Sequence, residues 1–479
     1  MRTRTAPWAN NPIRWAIAAI LALTAWRLAL LPLSRMELYV DEAQYWLWGQ
    51  EMAFGAYSKP PMVGWLIRAA NALTGSDAAW VARAPWAICH AIAALALLAL
   101  ARRLTTPGAA ALAGLTYATL PAVSLASVLV STDSPMLMFL ALALLLWHRQ
   151  ASGAGRANAV ALGAAIGLAF LSKYAMAFAG AGMIVTLLAC RDWRLRAGDA
   201  LVVAAVAVLV FAPNIVWNLQ HGMATMRHTA ENADYHGLSL NADKALRFVA
   251  EQFAVAGPLV FAALLAAFSR PRHLPPAMRG LVAIAAAPLV VCTLQALNAG
   301  ANANWAVGAY TAGSVLAAAV MVRHRLWAIA ALAINGALAV ALPLLPPLAD
   351  GLTLPNGKPV MARYTGQGAI SIWALDHARG RGAGLVADNR ALLADLFYHQ
   401  MTAPQPQPPV HAAPQNGAAN SHYALLYALP PGTTGPLLWL GAGDSPACAQ
   451  APIARLTPQQ GEWRGKTLTL SPLPDTCLR

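Results

Sequence analysis

The chain has 479 residues, of which 58% are hydrophobic and only 11% charged. A soluble domain carries roughly 25% charged residues, so this composition excludes a soluble globular protein and points to a polytopic membrane protein. A net charge of +14 would suit nucleic acid, but the arginines stand in short clusters between apolar runs, where they act as topology signals, and no nucleic-acid partner is expected.

A helix needs about 20 mostly apolar residues to cross a bilayer core of roughly 30 Å. In chain order, such runs cover 12–32, 79–101, 108–130, 134–148, 157–172, 174–190, 199–217, 253–269, 279–298, 304–321 and 325–347, which predicts eleven crossings. No small-residue cleavage site follows the first run before Asp41, so it reads as a retained helix and not as a signal peptide. The stretch from Ala157 to Cys190 has 34 residues, long for one span and short for two. Arg149 and Arg156 precede it and Arg191, Arg194 and Arg196 follow it, so the positive-inside bias requires it to cross twice, with Lys173 at the turn.

All the basic clusters then share one side: Arg2, Arg4 and Arg14, Arg102 and Arg103, Arg149 and Arg156, Arg191 to Arg196, Arg270 to Arg279, and Arg323 with Arg325. That side is the cytoplasm, and it holds the N-terminus. The other face collects the loop 33–78, the tip "STDSP" at 131–135, the turn "SKY" at 172–174, the loop 218–252, "NAGANAN" at 298–304, and everything after 348. Residues 1–350 are thus expected to form a membrane domain and 351–479 a small soluble α/β domain, with a Pro- and Gln-rich loop inside it. Cys89, Cys190 and Cys292 lie in apolar runs as buried thiols, and five cysteines in all are too few for a disulfide scaffold. Cys448 and Cys477 fall in the soluble part, where a disulfide and two free thiols are both open readings.

The chemistry-bearing residues gather on the outer face. In "YVDEAQYWLWGQEMAFGAYSKPP", Asp41 and Glu42 open an amphipathic segment with Tyr45 and Trp48 at i+4 and i+7 of Asp41, and a second such segment follows the prolines. Two interfacial helices would hold an acid where head groups meet water; the plainer reading is an acid pair capping a helix N-terminus beside an aromatic belt. Lys59 precedes Pro60 on an extended backbone, where a point charge suits a phosphate oxygen or simply snorkels to the interface. Asp133 sits at the tip of an apolar hairpin as a site acid or an N-cap, and Lys173 is an ionisable residue at another such tip. Asn218, His221 and His228 lie in or next to the loop after the 199–217 run, available to support a substrate, orient a phosphate or line a wet loop. No cofactor is required; a divalent metal is a secondary reading, with Glu42 and His228 as its candidate ligands.

In this order, "YVDEAQYWLWGQEMAFGAYSKPPMVGWLI", "STDSPML", "FLSKYAM", "PNIVWN" and the tail "VADNRALLADLFYH" resemble the bacterial polyprenyl-phosphate-sugar-dependent glycosyltransferases of the GT-C class, nearest the aminoarabinose (lipid A) transferase-like family and kin to protein O-mannosyltransferases. The resemblance implies a GT-C fold in the bacterial inner membrane. It implies a polyprenyl-phosphate-linked sugar as donor, an envelope glycolipid, glycan or protein as acceptor, and inverting transfer at the periplasmic face. By the same resemblance Asp41 takes the catalytic acid position, Asp133 a second acidic position, and Lys59 the donor phosphate; the mechanism adds Arg83 beside Lys59 to offset charge on the leaving phosphate, and Lys173 remains open between phosphate contact and pairing with Asp133. Those lipid A transferases place a glutamate before the lysine where this chain has Ser58, which weighs against a metal and against lipid A itself as acceptor. The rival class is a lipid transporter or flippase, which explains the spans but not a soluble tail or polar groups kept away from mid-membrane depth.

Overall fold

The computed structural model describes residues 11–232, 239–349, 351–355, 359–443, 445–474 and 476–478; Arg2 and Arg4 of the first basic cluster lie outside them. The chain divides into two compact units: Met1–Leu30, Lys59–Val63 and Arg83–Leu344 form one, and Leu31–Ser58, Gly64–Ala82 and Leu345–Arg479 the other.

The first unit is helical. The apolar runs of the sequence appear in it as α1 (Pro12–Leu30), α4 (Ala79–Leu104), α5 (Pro107–Ala118), α6 (Pro121–Ala126), α7 (Asp133–Ala151), α8 (Arg156–Ser172), α9 (Met176–Ala189), α10 (Ala197–Gln220), α12 (Ala242–Ala256), α13 (Pro258–Ser269), α14 (Pro276–Asn298), α15 (Ala309–Met321) and α16 (Arg325–Ala341). The short helix α11 (Ala224–Asn232) follows α10. Five of the described stretches are long and apolar enough to cross a bilayer, those built on α1, α4, α10, α14 and α16; α8, α9 and α15 are apolar but shorter.

Two predicted runs are not single helices, and the residues say why. The run 108–130 breaks between α5 and α6 before Pro121, which has no N–H to continue the ladder. The carbonyl of Ala118 at the end of α5 is taken up by Arg27 Nη2 at 2.7 Å, which also donates to Ser124 Oγ at 3.2 Å. The run 253–269 straddles a 116° bend between α12 and α13. Gly257 makes the bend with φ 87, in the left-handed region, Pro258 restarts the helix, and Asn335 Nδ2 donates to the carbonyl of Ala256 at 2.9 Å.

Close packing in this unit uses small residues, as membrane helices do. On α8, Gly163 and Gly167 face α10 so closely that a Cβ on Gly163 would stand 2.6 Å from the carbonyl of Val203. The run 157–190, expected to turn at Lys173, forms two helices, α8 and α9, separated at Lys173, whose backbone is extended. Each packs elsewhere: α8 between α7 and α10, α9 along α14.

The second unit holds α2 (Val40–Glu51) and most of α3 (Met62–Thr74) together with the C-terminal segment. That segment forms α17 (Gln367–Arg379), β1 (Gly384–Ala387), α18 (Arg390–Thr402), β2 (Val410–Ala412), α19 (His422–Leu426), β3 (Leu437–Gly441), β4 (Ala454–Leu456) and β5 (Leu468–Leu473). The sheet order is β2-β1-β3-β5-β4, with β1 parallel to β2 and β3, and β5 antiparallel to β3 and β4. A parallel pair needs a crossover, and α18 supplies it between β1 and β2. Val386, Leu437, Trp439 and Leu473 fill one core beneath the sheet, beside Cys477, which is disulfide-bonded to Cys448 with Cα atoms 5.6 Å apart.

Candidate active site

Each unit carries its own polar cluster. In the second, Asp41 lies in the first turn of α2, half-exposed. Glu42 beside it is buried, and its Oε2 accepts the backbone N–H of Tyr39 at 3.0 Å. Its carboxylate thus closes the N-terminus of α2, which is the plainer of its two sequence readings. Tyr45 is buried with its ring 4.9 Å from that of Trp48. The helices α2 and α3 meet glycine to glycine: a Cβ on Gly49 would stand 2.7 Å from the carbonyl of Gly64. Trp46 Nε1 donates to Asp77 Oδ1 at 3.1 Å and Trp65 Nε1 to the carbonyl of Ala53 at 3.0 Å, so the aromatic residues of this stretch do more than line an interface.

Asp41 forms an ion pair with Nη2 of Arg390, a residue not singled out from the sequence. Arg390 is the first residue of α18. Asn389 before it caps the helix, its Oδ1 accepting the N–H of Ala391 at 2.9 Å and of Leu392 at 3.3 Å. Arg390 Nε also donates to Gln44 Oε1 at 2.8 Å, one turn along α2 from Asp41. Burial alone would make the guanidinium easier to deprotonate, but the charge of Asp41 and its hydrogen bond, with smaller help from Tyr423 and Tyr45, together hold its pKa above the ordinary value.

Two further acids, half-buried Glu37 and buried Asp395, tie the segment before α2 to α17 and α18. Glu37 Oε2 accepts the N–H of Gln367 at 2.7 Å, and Ser371 Oγ donates to Asp395 Oδ2 at 2.6 Å. Burial pushes the Asp395 carboxyl up to about 6, against a smaller opposing pull from Ser371.

In the first unit, Asp133 opens α7, nearly buried. Its Oδ1 receives Lys173 Nζ at 2.7 Å, with side chains only 16% and 10% exposed for the lysine and the acid. Its Oδ2 accepts from Ser131 Oγ at 3.3 Å and Asn304 Nδ2 at 3.3 Å. Three of the polar stretches of this unit, "STDSP", "SKY" and "NAGANAN", therefore converge on one carboxylate, and Asn304 is the member sequence reasoning missed. Lys59 is half-buried and Arg83 wholly buried. Asn218 Nδ2 donates to the Tyr174 hydroxyl at 3.2 Å, and its Oδ1 accepts the N–H of Thr225 at 3.2 Å, fixing the turn after α10. The His221 ring stacks on Trp217 with centroids 4.1 Å apart, and its Nδ1 lies 2.8 Å from the carbonyl of that residue. His228 lies half-buried on α11. Among the described residues no three His, Cys, Asp or Glu side chains converge to hold a metal, Glu42 and His228 included.

Comparison with known proteins gives the family. A family model described as dolichyl-phosphate-mannose-protein mannosyltransferase matches residues 58–217. Over 97% of its length, and 99% of the relative's, the chain is 37% identical to the lipid A galacturonosyltransferase RgtD of Rhizobium johnstonii. The chain belongs to the ArnT-like family of GT-C glycosyltransferases. Its fold is that of ArnT from Cupriavidus metallidurans: the form bound to undecaprenyl phosphate matches with a TM-score of 0.65 at 17% identity, over 96% of this chain and 98% of that one. The apo form matches with a TM-score of 0.61 at 18% identity, over 97% and 98%. The chain is thus a multi-pass membrane glycosyltransferase, and the transporter reading finds no support.

Proposed function

We propose that this chain transfers a sugar, galacturonic acid in the first instance, from a polyprenyl-phosphate carrier to a lipid A-type glycolipid at the periplasmic face of the inner membrane. The observation that carries this reading is the 37% identity along essentially the whole length of a lipid A galacturonosyltransferase. It outweighs the single departure at Ser58, which had spoken against lipid A.

In this reading Asp41 accepts the proton of the acceptor hydroxyl as general base, a role contributing on the order of 10²–10⁴ in rate. Lys59 and Arg83 offset the charge that grows on the departing polyprenyl phosphate. Asp133, held by Lys173, Ser131 and Asn304, orients polar groups of the substrate from a nearly buried, preset position. Lys173 then serves the acid more than the phosphate. Tyr45, Glu42, Asn218, His221 and His228 act as supports.

The topology belongs to the same reading. Eleven crossings follow from the alternating arginines, with the run 108–130 broken and the run 253–269 bent, and α2 and α3 lie at the outer interface with their aromatic residues. Residues 1–350 form the catalytic membrane domain and 351–479 the periplasmic one, a compartment in which the Cys448–Cys477 disulfide persists. The test is mass spectrometry of lipid A after incubation of the reconstituted protein with polyprenyl-phosphate-linked galacturonic acid. Addition of one hexuronic acid is expected; lipid A that stays unmodified, while another envelope acceptor gains the sugar, would replace the acceptor.

A further inference from the structure

The geometry points to a second role at Asp41: we infer that Arg390 reads negative charge on the substrate, offering its open guanidinium edge to a carboxylate or phosphate oxygen while the acceptor hydroxyl reaches Asp41. This rests on the general-base reading of Asp41 above.

The guanidinium is anchored on one side only. Nε is engaged by Gln44 and Nη2 by Asp41, and Nη1 has no hydrogen-bond partner among the described residues. Arginine carries its donors in a rigid fork, so two occupied positions fix the direction of those left over. The side chains of Arg390 and Asp41 are 42% and 41% exposed, which leaves that edge reachable. The mounting is stiff on both sides, through the Asn389 cap on α18 and the glycine contact that locks α2 to α3.

Stability does not explain the pair. A half-exposed ion pair contributes little to folding, with a median near zero. Its place matters more: the guanidinium occupies Oδ1, the same carboxylate that must face the acceptor hydroxyl. An arriving anion pulls on the open edge by a charge-assisted contact, which weakens the fork's hold on Asp41 Oδ1 without turning it away and frees that oxygen to take the hydroxyl proton. A neutral substrate gives no such pull. Selectivity for charged substrates is then built into the base itself.

The chemistry has two available sources, the uronate carboxylate of the donor and the phosphate of a lipid A-type acceptor. Binding to the full-length protein in nanodiscs separates them, read by native mass spectrometry with two matched pairs: undecaprenyl-phosphate-linked galacturonic acid against its galactose counterpart, and lipid A against dephosphorylated lipid A. R390Q is expected to weaken binding of the charged member of one pair by about 10- to 100-fold and to leave its neutral member within about twofold. The affected pair names the source. R390K, which keeps the charge but loses the fork, should recover part of the loss, and unchanged binding of the neutral members reports that the fold is intact. Equal losses for charged and neutral members, or no loss for any, would overturn the inference. Because binding is read without turnover, absence of galacturonosyl transfer by the wild type would count against the proposed function and leave this result standing.

Discussion

His422 offers a quantitative handle on the second unit. It is the first residue of α19, 1% exposed, with neither ring nitrogen hydrogen-bonded among the described residues. The nearest carboxylate, Glu51, stands 3.9 Å from Nε2, too far for a hydrogen bond, and the ring packs against Trp48 at 5.4 Å between centroids. Burial keeps the imidazole neutral and pushes its pKa down from 6.5 to about 3. An unfolded chain takes up a proton near 6.5 while the folded one resists until about 3, so stability is full above 6.5 and falls as the pH drops between those values. The slope is about 1.4 kcal/mol per pH unit, which makes the loss about 2 kcal/mol at pH 5. His422→Phe keeps the shape and removes the titration. Thermal unfolding of wild type and H422F in detergent, followed at pH 7.5 and pH 5, should show their stability difference moving by about that amount in favour of the variant in acid. The Asp395 carboxyl, raised to about 6, acts in the opposite direction: its neutral form stabilises below the ordinary carboxylate range and that contribution is lost as pH rises through 6, but it is present in both proteins and cancels. Parallel pH profiles for the two proteins would refute the assignment of a neutral, buried His422.

Two further outcomes follow from the polar contacts. Lys173→Met strands the nearly buried Asp133 charge and should cost about 3–5 kcal/mol; adding Asp133→Asn should restore part of it, and additive losses in a double-mutant cycle of thermal stabilities would show that the pair is not coupled. Reducing the Cys448–Cys477 bond, or replacing both cysteines with serine, reopens a 29-residue separation and should lower the stability of the second unit by about 3–4 kcal/mol; an unchanged melting temperature under reductant would mean the bond is not formed in solution.

How far the sequence could be read depended on the range of the interaction. Apolar runs near bilayer length are a local property, and each turned out helical. Breaks inside them were missed because hydropathy averages over a bend such as Gly257–Pro258, whose positive φ and Asn335 partner carry no hydropathy signal. Asp133 and Lys173 stood out because a charge in apolar surroundings demands a partner, and they are each other's partner at 2.7 Å. Glu42 looked like a site acid and is engaged as a cap, a competition that three residues of local sequence already contained. Arg390 could not be foreseen: it meets Asp41 across a separation of 349 residues, and an arginine after Asn389 reads as an ordinary start of a helix. The one clue was that the motif holding it, "VADNRALLADLFYH", accompanied the membrane motifs in the family resemblance.

Asp41→Asn tests the base itself. The variant keeps the size of the side chain and a hydrogen-bonding oxygen for Arg390 while removing the basic carboxylate. In proteoliposomes supplied with polyprenyl-phosphate-linked galacturonic acid and lipid A, the transfer rate should fall by about 10²- to 10⁴-fold with thermal unfolding unchanged. Transfer at the wild-type rate by a folded D41N protein would contradict the assignment of Asp41 as the base.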